Sequence, residues 1–119
     1  MTEQSNFETL IAFPTHVYSI EKPEFLDVSR IVADDYLKNK EKSSDLYPVR
    51  MSNNFEMDDR IQGLAEFIAI SAGNILADQG YKTDGLGAYF SSMWVQEHHL
   101  SSGMEQHTHP GVQMVGFYF

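Results

Sequence analysis

Residues 104–119, MEQHTHPGVQMVGFYF, decide the predicted fold. From Gly111 onward the segment is apolar at both odd and even positions, a pattern typical of a β-strand covered on both faces. A buried strand needs further layers of structure around it. We therefore expect the 119 residues to be one domain that is the N-terminal part of a longer protein.

Two amphipathic helices are predicted upstream of this strand. Pro23 suits the first position of the first helix, since proline has no N–H to leave unsatisfied there. Asp59 and Gln62 have the spacing of a capping box for the second helix, and Gly80 is typical of a helix end. The apolar stripes are Phe25, Val28, Ile31, Val32 and Tyr36 in the first helix, and Ile61, Leu64, Ile68, Ile75 and Leu76 in the second.

Two further strands complete the predicted elements. Pro14 favours an edge strand over residues 15–20, because proline cannot donate to a strand ladder. Residues 88–96 are aromatic-rich and of strand length, with Phe90 and Trp94 on one face. We interpret residues 39–45 and 98–103 as loops.

Composition narrows the function classes. The formal charge of −9 disfavours direct binding to nucleic acid phosphates. The chain has no cysteine, so a bound metal must use nitrogen and oxygen ligands. Residues 1–6 are polar and acidic, unlike a signal peptide, and no apolar run approaches the roughly 20 residues that span a bilayer. These features predict a soluble cytoplasmic protein without membrane partners.

His107 and His109 are the leading candidate metal ligands. In a strand, alternate side chains project from one face, so the two imidazoles could bind one ion. About 0.2 His-x-His pairs are expected by chance in this composition, so the spacing alone is weak evidence. Glu105 shares the parity of the pair and is a candidate third ligand or an acceptor for an imidazole N–H. His99 and Trp94 are weaker candidates at a substrate rim, and for Trp94 packing in the core is the favoured interpretation.

Several spaced segments together resemble a family of 2-oxoglutarate/iron(II)-dependent oxygenases found in bacteria and often encoded by phages. The resemblance covers most of the chain in order. Its segments are FPTHVY (13–18), YPVR (47–50), QGY (79–81), MWVQ (93–96), MEQHTH (104–109) and VGFYF (115–119).

The resemblance implies an α+β fold: a double-stranded β-helix, or jelly roll, preceded by a strand and two helices, here truncated within the barrel. It implies an oxidoreductase, a dioxygenase that uses Fe(II) with 2-oxoglutarate as co-substrate to hydroxylate a C–H bond. Many members of the superfamily have His-x-Asp or His-x-Glu where this chain has His107-Thr-His109, so one histidine of the pair need not be a ligand. In the family pattern, the distal histidine and the residue that binds 2-oxoglutarate would follow Phe119. We therefore expect this chain alone to be inactive.

Two alternatives remain open at this stage. One is a cupin-like metal-dependent jelly-roll enzyme that does not use 2-oxoglutarate. The other is a noncatalytic binding or structural protein whose histidines only pack. The sequence leaves the substrate open between a small molecule and a peptide, and an exposed last strand would allow a homo-oligomer.

Overall fold

The computed structural model describes residues 8–43 and 48–119. In chain order, these residues form a 3₁₀ turn at Pro23–Phe25, helix α1 at Leu26–Leu37, strand β1 at Val49–Met51, a second 3₁₀ turn at Asp59–Ile61, helix α2 at Gln62–Asp78 and strand β2 at Gln96–His98.

The helix that Pro23 predicts is confirmed. Pro23 lies in the 3₁₀ turn that leads directly into α1. Val32, on the predicted apolar stripe, is completely buried, and Phe25, Val28 and Tyr36 pack around the same core. Ile31 is 57% exposed, so its assignment to the buried face is wrong.

Helix α2 is confirmed as well, but its start is capped one residue earlier than predicted. The Asp58 carboxylate accepts the backbone N–H of Arg60 at 2.9 Å. The Gln62 side-chain amide donates to the backbone carbonyls of Glu56 and Asp58 and not to a capping-box partner. The predicted capping box at Asp59 is therefore wrong. The carboxylate of Asp58, one residue earlier, accepts the free backbone N–H instead.

Gly80 ends α2 as predicted. Its φ of +91° is the left-handed conformation that glycine adopts without steric cost. The Gly80 N–H donates to the carbonyl of Ala77, and the Tyr81 N–H donates to that of Leu76, both at 3.0 Å. This pair of hydrogen bonds is the Schellman arrangement, which satisfies the last carbonyls of a helix.

The core lies where the two helices meet the residues that follow β1. Its centre is a cluster of buried side chains, Val32, Phe55, Ile61 and Leu64. Tyr36 lies against Phe55 with ring centroids 4.9 Å apart. Met93 and Val95 cover the cluster from the segment that leads into β2.

The two strands form one antiparallel sheet. Arg50 lies opposite Glu97 in its register. The pairing continues beyond the strands, because Ser52 N–H donates to the carbonyl of Val95 at 3.0 Å and Phe55 N–H donates to that of Met93 at 2.8 Å. The predicted strand at residues 88–96 therefore contributes only Gln96 to β2, although its last residues run beside residues 52–55.

The predicted double-stranded β-helix is wrong for the described residues, which contain two helices and this single two-stranded sheet. Residues 15–20 and 111–119 have no strand ladder; the Tyr118 hydroxyl instead donates to the Lys22 carbonyl at 2.7 Å. Only Met114 and Tyr118 in residues 111–119 are partly buried, while Phe117 is 85% and Phe119 fully exposed. A strand covered on both faces requires a layer on each side, and the described residues supply neither.

The exposed surface agrees with this open arrangement. The accessible surface is 10386 Å², against roughly 6,600 Å² expected for a compact protein of this mass. Within residues 8–43 and 48–119, no helix has both the length and the apolar character needed to cross a bilayer. Tyr47 and the end of the predicted 39–45 loop lie outside the described residues.

Candidate metal centre

His107 and His109 lie side by side on an exposed segment that follows β2. Their ring centroids are 4.9 Å apart, with an angle of 72° between the ring planes. The segment is not a strand, so the strand alternation from which the pair was predicted is absent. The prediction that the two imidazoles come together nevertheless agrees with the ring positions.

The local chain fixes which nitrogen of His107 carries a proton. His107 Nδ1 lies 2.8 Å from the backbone carbonyl oxygen of Glu105. A carbonyl oxygen only accepts hydrogen bonds, so Nδ1 must be the protonated nitrogen. In the neutral ring, Nε2 then keeps a free lone pair, which is the form of histidine that binds metals.

His109 also lies beside Trp94. The indole and the His109 ring have centroids 5.9 Å apart, at an interplanar angle of 34°. Trp94 is half-buried. Met93 and Val95, on either side of Trp94 in the sequence, pack on the core cluster, and Trp94 is not among the residues of that cluster.

The spacing of the two rings fits two ligands of one ion. Imidazole nitrogens about 2.1 Å from a metal, at a ligand–metal–ligand angle of about 90–109°, place ring centroids about 4.5–5.2 Å apart. The observed 4.9 Å lies inside this interval. Two imidazoles also suit the nitrogen part of a two-histidine, one-carboxylate iron site.

A complete ligand set is not formed by the described part of the chain. In residues 8–43 and 48–119, no three His, Asp or Glu side chains are grouped closely enough to hold an ion. Glu105 contacts His107 through its backbone carbonyl and does not extend the pair to a triad. The described residues therefore bring together two potential nitrogen ligands and do not form a complete metal site.

The other histidines have separate surroundings. His99 Nε2 lies 3.4 Å from Glu97 Oε1, at the end of the two-stranded sheet. His98 contacts Ser102 and Gln96 through its two ring nitrogens. The substrate-rim role suggested for His99 stays a prediction.

A concave surface lies between two segments outside the helices and strands. Residues 16–23 with Leu26, and residues 115–119, line a largely apolar groove of about 730 Å³. His16 lies on its wall, as do the exposed side chains of Val17 and Phe117. Neither His107 nor His109 lines this groove, so we treat the groove as separate from the candidate metal centre.

Two groups of ion pairs connect elements of the fold. Arg50 binds Glu97 through two hydrogen bonds of 2.7 and 2.8 Å, and this contact lowers the pKa of the Glu97 carboxyl. Arg60 binds Asp58 and Asp35, and its side-chain hydrogen bonds hold the pKa of Asp58 well below the usual range. Burial, followed by the hydrogen bond to Asp58, raises the pKa of Tyr36.

The sequence interpretation missed the residues that hold Trp94 in place. Ser52 is 8% exposed, and its hydroxyl accepts the Val95 N–H at 3.0 Å. No sequence motif predicts this hydrogen bond, because it joins positions 43 residues apart. The alternation of Met93, Trp94 and Val95 was visible, but it does not reveal which face is buried.

Comparison of the chain with protein-family models, with curated proteins and with solved structures found no match.

Proposed function

We propose that His107 and His109 are two ligands of an iron(II) centre in a 2-oxoglutarate-dependent oxygenase that hydroxylates a small molecule or a peptide. One observation carries the proposal: the two rings lie 4.9 Å apart, and His107 Nδ1 is engaged by the Glu105 carbonyl. This arrangement leaves His107 Nε2 available as a ligand, as in metal sites where the other imidazole nitrogen is fixed by a carbonyl. The resemblance of the spaced segments to the oxygenase family supplies the reaction.

When bound, the iron would activate O₂, so that 2-oxoglutarate, O₂ and a C–H substrate give succinate, CO₂ and the hydroxylated product. The residues of this chain would hold the iron and orient its two histidine ligands. The Glu105 carbonyl holds the His107 ring in one tautomer, and the Trp94 ring lies beside that of His109. The third ligand and the residue that binds 2-oxoglutarate are not assigned to any of the described residues.

Two of the three arginines, one in β1 and one in the 3₁₀ turn before α2, are held in ion pairs. Arg50 is paired with Glu97, and Arg60 is paired with Asp58 and Asp35. Neither guanidinium is therefore free to bind the 2-oxoglutarate carboxylate without giving up an ion pair. The charge of −9 favours a substrate that is not nucleic acid, and the cysteine-free composition agrees with a cytoplasmic setting.

Anaerobic equilibrium dialysis with Fe(II) tests the metal site. We expect the wild-type chain to retain Fe(II), His107→Ala and His109→Ala to bind it more weakly, and the double variant to lose it. His16→Ala is the matched control, because His16 lines the separate groove. Equal Fe(II) retention by wild type and double variant would exclude His107 and His109 as the ligands.

A second assay tests the proposed division of the active site. The purified 119-residue chain, loaded with Fe(II), should produce no succinate from 2-oxoglutarate in air. Succinate formation by this chain would show that the residues present already complete the site.

A further inference from the structure

The segment that precedes β2 is anchored to the core on both sides of Trp94. Phe55 N–H donates to the Met93 carbonyl at 2.8 Å. Val95 makes two hydrogen bonds of 3.0 Å with Ser52, one through its carbonyl and one through its N–H. The backbone at position 94 is therefore fixed by contacts with residues 52–55.

The side chains of this segment alternate between two sides. Met93 and Val95 pack on the core cluster, as expected when successive side chains of an extended chain point in opposite directions. Trp94 consequently faces away from the core. There it meets His109, whose ring in turn meets His107.

The segment around the histidines lacks an anchor of this kind. Residues 104–111 are exposed and lie outside any helix or strand. The hydrogen bond that holds His107 is local, since Glu105 belongs to the same segment. The Trp94–His109 contact, by contrast, joins the pair to residues held on the core.

We infer that Trp94 is a positioning residue, which holds His109 in the orientation needed to share a metal ion with His107. The inference rests on the proposed function, because it presumes that the pair binds a metal. A large planar side chain loses little conformational entropy in such a role, and its flat face restricts rotation of the imidazole. Partners that hydrogen-bond to metal ligands change metal affinity about 10–100-fold when removed, and we expect the loss of a ring contact to act in the same direction with a smaller size.

Titration of a set of variants with Zn²⁺ tests the inference. Zn²⁺ replaces Fe(II) because it is redox-inert, and isothermal titration calorimetry measures its affinity. We expect Trp94→Ala to weaken Zn²⁺ binding about 2- to 10-fold, the size of an aromatic pair contact, and Trp94→Phe to restore most of the affinity, because phenylalanine keeps a flat ring. Thermal unfolding of the metal-free variants checks that the fold is retained. Affinity unchanged in Trp94→Ala, with loss in His107→Ala/His109→Ala, would overturn the positioning role and leave the metal site standing.

The His109→Ala background separates positioning from a general loss of structure. If Trp94 acts through His109, Trp94→Ala should cause no further loss of Zn²⁺ affinity in that background. A further loss of the same size as in the wild-type background would show that Trp94 acts by another route and would overturn the inference. No Zn²⁺ binding by the wild-type chain would contradict the proposed function itself, an outcome distinct from the first two.

Discussion

Arg50 and Glu97 face each other across the two-stranded sheet and form a bidentate ion pair. Arg50 Nε donates to Glu97 Oε1 at 2.7 Å, and a terminal guanidinium nitrogen donates to Oε2 at 2.8 Å. The same guanidinium also reaches the Leu37 carbonyl at 3.4 Å, at the end of α1. The pair therefore ties the sheet to the first helix, and it makes the stability of the sheet depend on pH.

Glu97→Gln should reduce the loss of stability in acid. The hydrogen bonds from Arg50 lower the pKa of Glu97 in the folded protein. A carboxyl with a lowered folded-state pKa contributes stability above its usual pKa of about 4.3, and the contribution is lost as pH falls through the lowered value. Urea unfolding between neutral pH and acid should show a steeper decline for wild type than for Glu97→Gln.

Glu66→Gln is the control for this measurement, since Glu66 is an exposed carboxylate on α2. Its decline with pH should follow that of wild type. A Glu97→Gln decline that matches wild type throughout the acid range would show that the ion pair does not contribute to the acid sensitivity.

Ser52→Ala should destabilise the protein by about 1–3 kcal/mol, the usual cost of leaving buried polar groups unpaired. The Ser52 hydroxyl donates to the Asn53 carbonyl at 2.8 Å and accepts the Val95 N–H at 3.0 Å. Both partners would lose a hydrogen bond in the variant. Ser19→Ala, at an exposed position, should change the free energy of unfolding by less than about 0.5 kcal/mol. Equal effects of the two substitutions in urea unfolding would contradict the importance of the buried hydroxyl.

Two glycines of α2 should respond differently to alanine. A Cβ at Gly73 would meet nothing within 4 Å, so Gly73→Ala should stabilise the helix by about 0.5–1 kcal/mol. A Cβ at Gly63 would lie 3.1 Å from Cε1 of Phe25. Gly63→Ala should therefore stabilise the protein less than Gly73→Ala does, or destabilise it. Urea unfolding measures both changes.

The Phe25→Leu background identifies the cause of any difference between the glycines. Removing the aromatic ring should relieve the close contact, so Gly63→Ala should become more favourable there than in wild type. If the effect of Gly63→Ala is the same in both backgrounds, contact with Phe25 does not explain it.

The helices could be predicted from sequence because their signals are local. Pro23 at a helix start and Gly80 after a helix end act through backbone conformations of single residues. The apolar spacing likewise identified Val32 and Ile61 as core residues. Ile31 was misassigned because a stripe of apolar residues is wider than the surface that the core covers.

The strands could not be predicted, because a strand forms only where another backbone supplies hydrogen bonds. Residues 111–119 have strand-like composition, yet the described chain provides no ladder for them, while short β1 pairs with β2 across 47 positions. The approach of His107 to His109 agrees with the prediction, but not with its reason, since the two residues do not lie in a strand. The contact of Trp94 with His109 was not predictable, since it depends on which side of residues 93–95 meets the core.

The central claim is that His107 and His109 bind one metal ion. Its most direct test is long-range ¹H–¹⁵N NMR of the imidazole nitrogens during titration with Zn²⁺. We predict that His107 and His109 both bind through Nε2, with large ¹⁵N shifts at those atoms, while His107 Nδ1 stays protonated on the Glu105 carbonyl. The ring of His16, on the separate groove, should not change. Unchanged Nε2 signals of His107 and His109 in excess Zn²⁺, or shifts at Nδ1 of His107 in their place, would contradict the account.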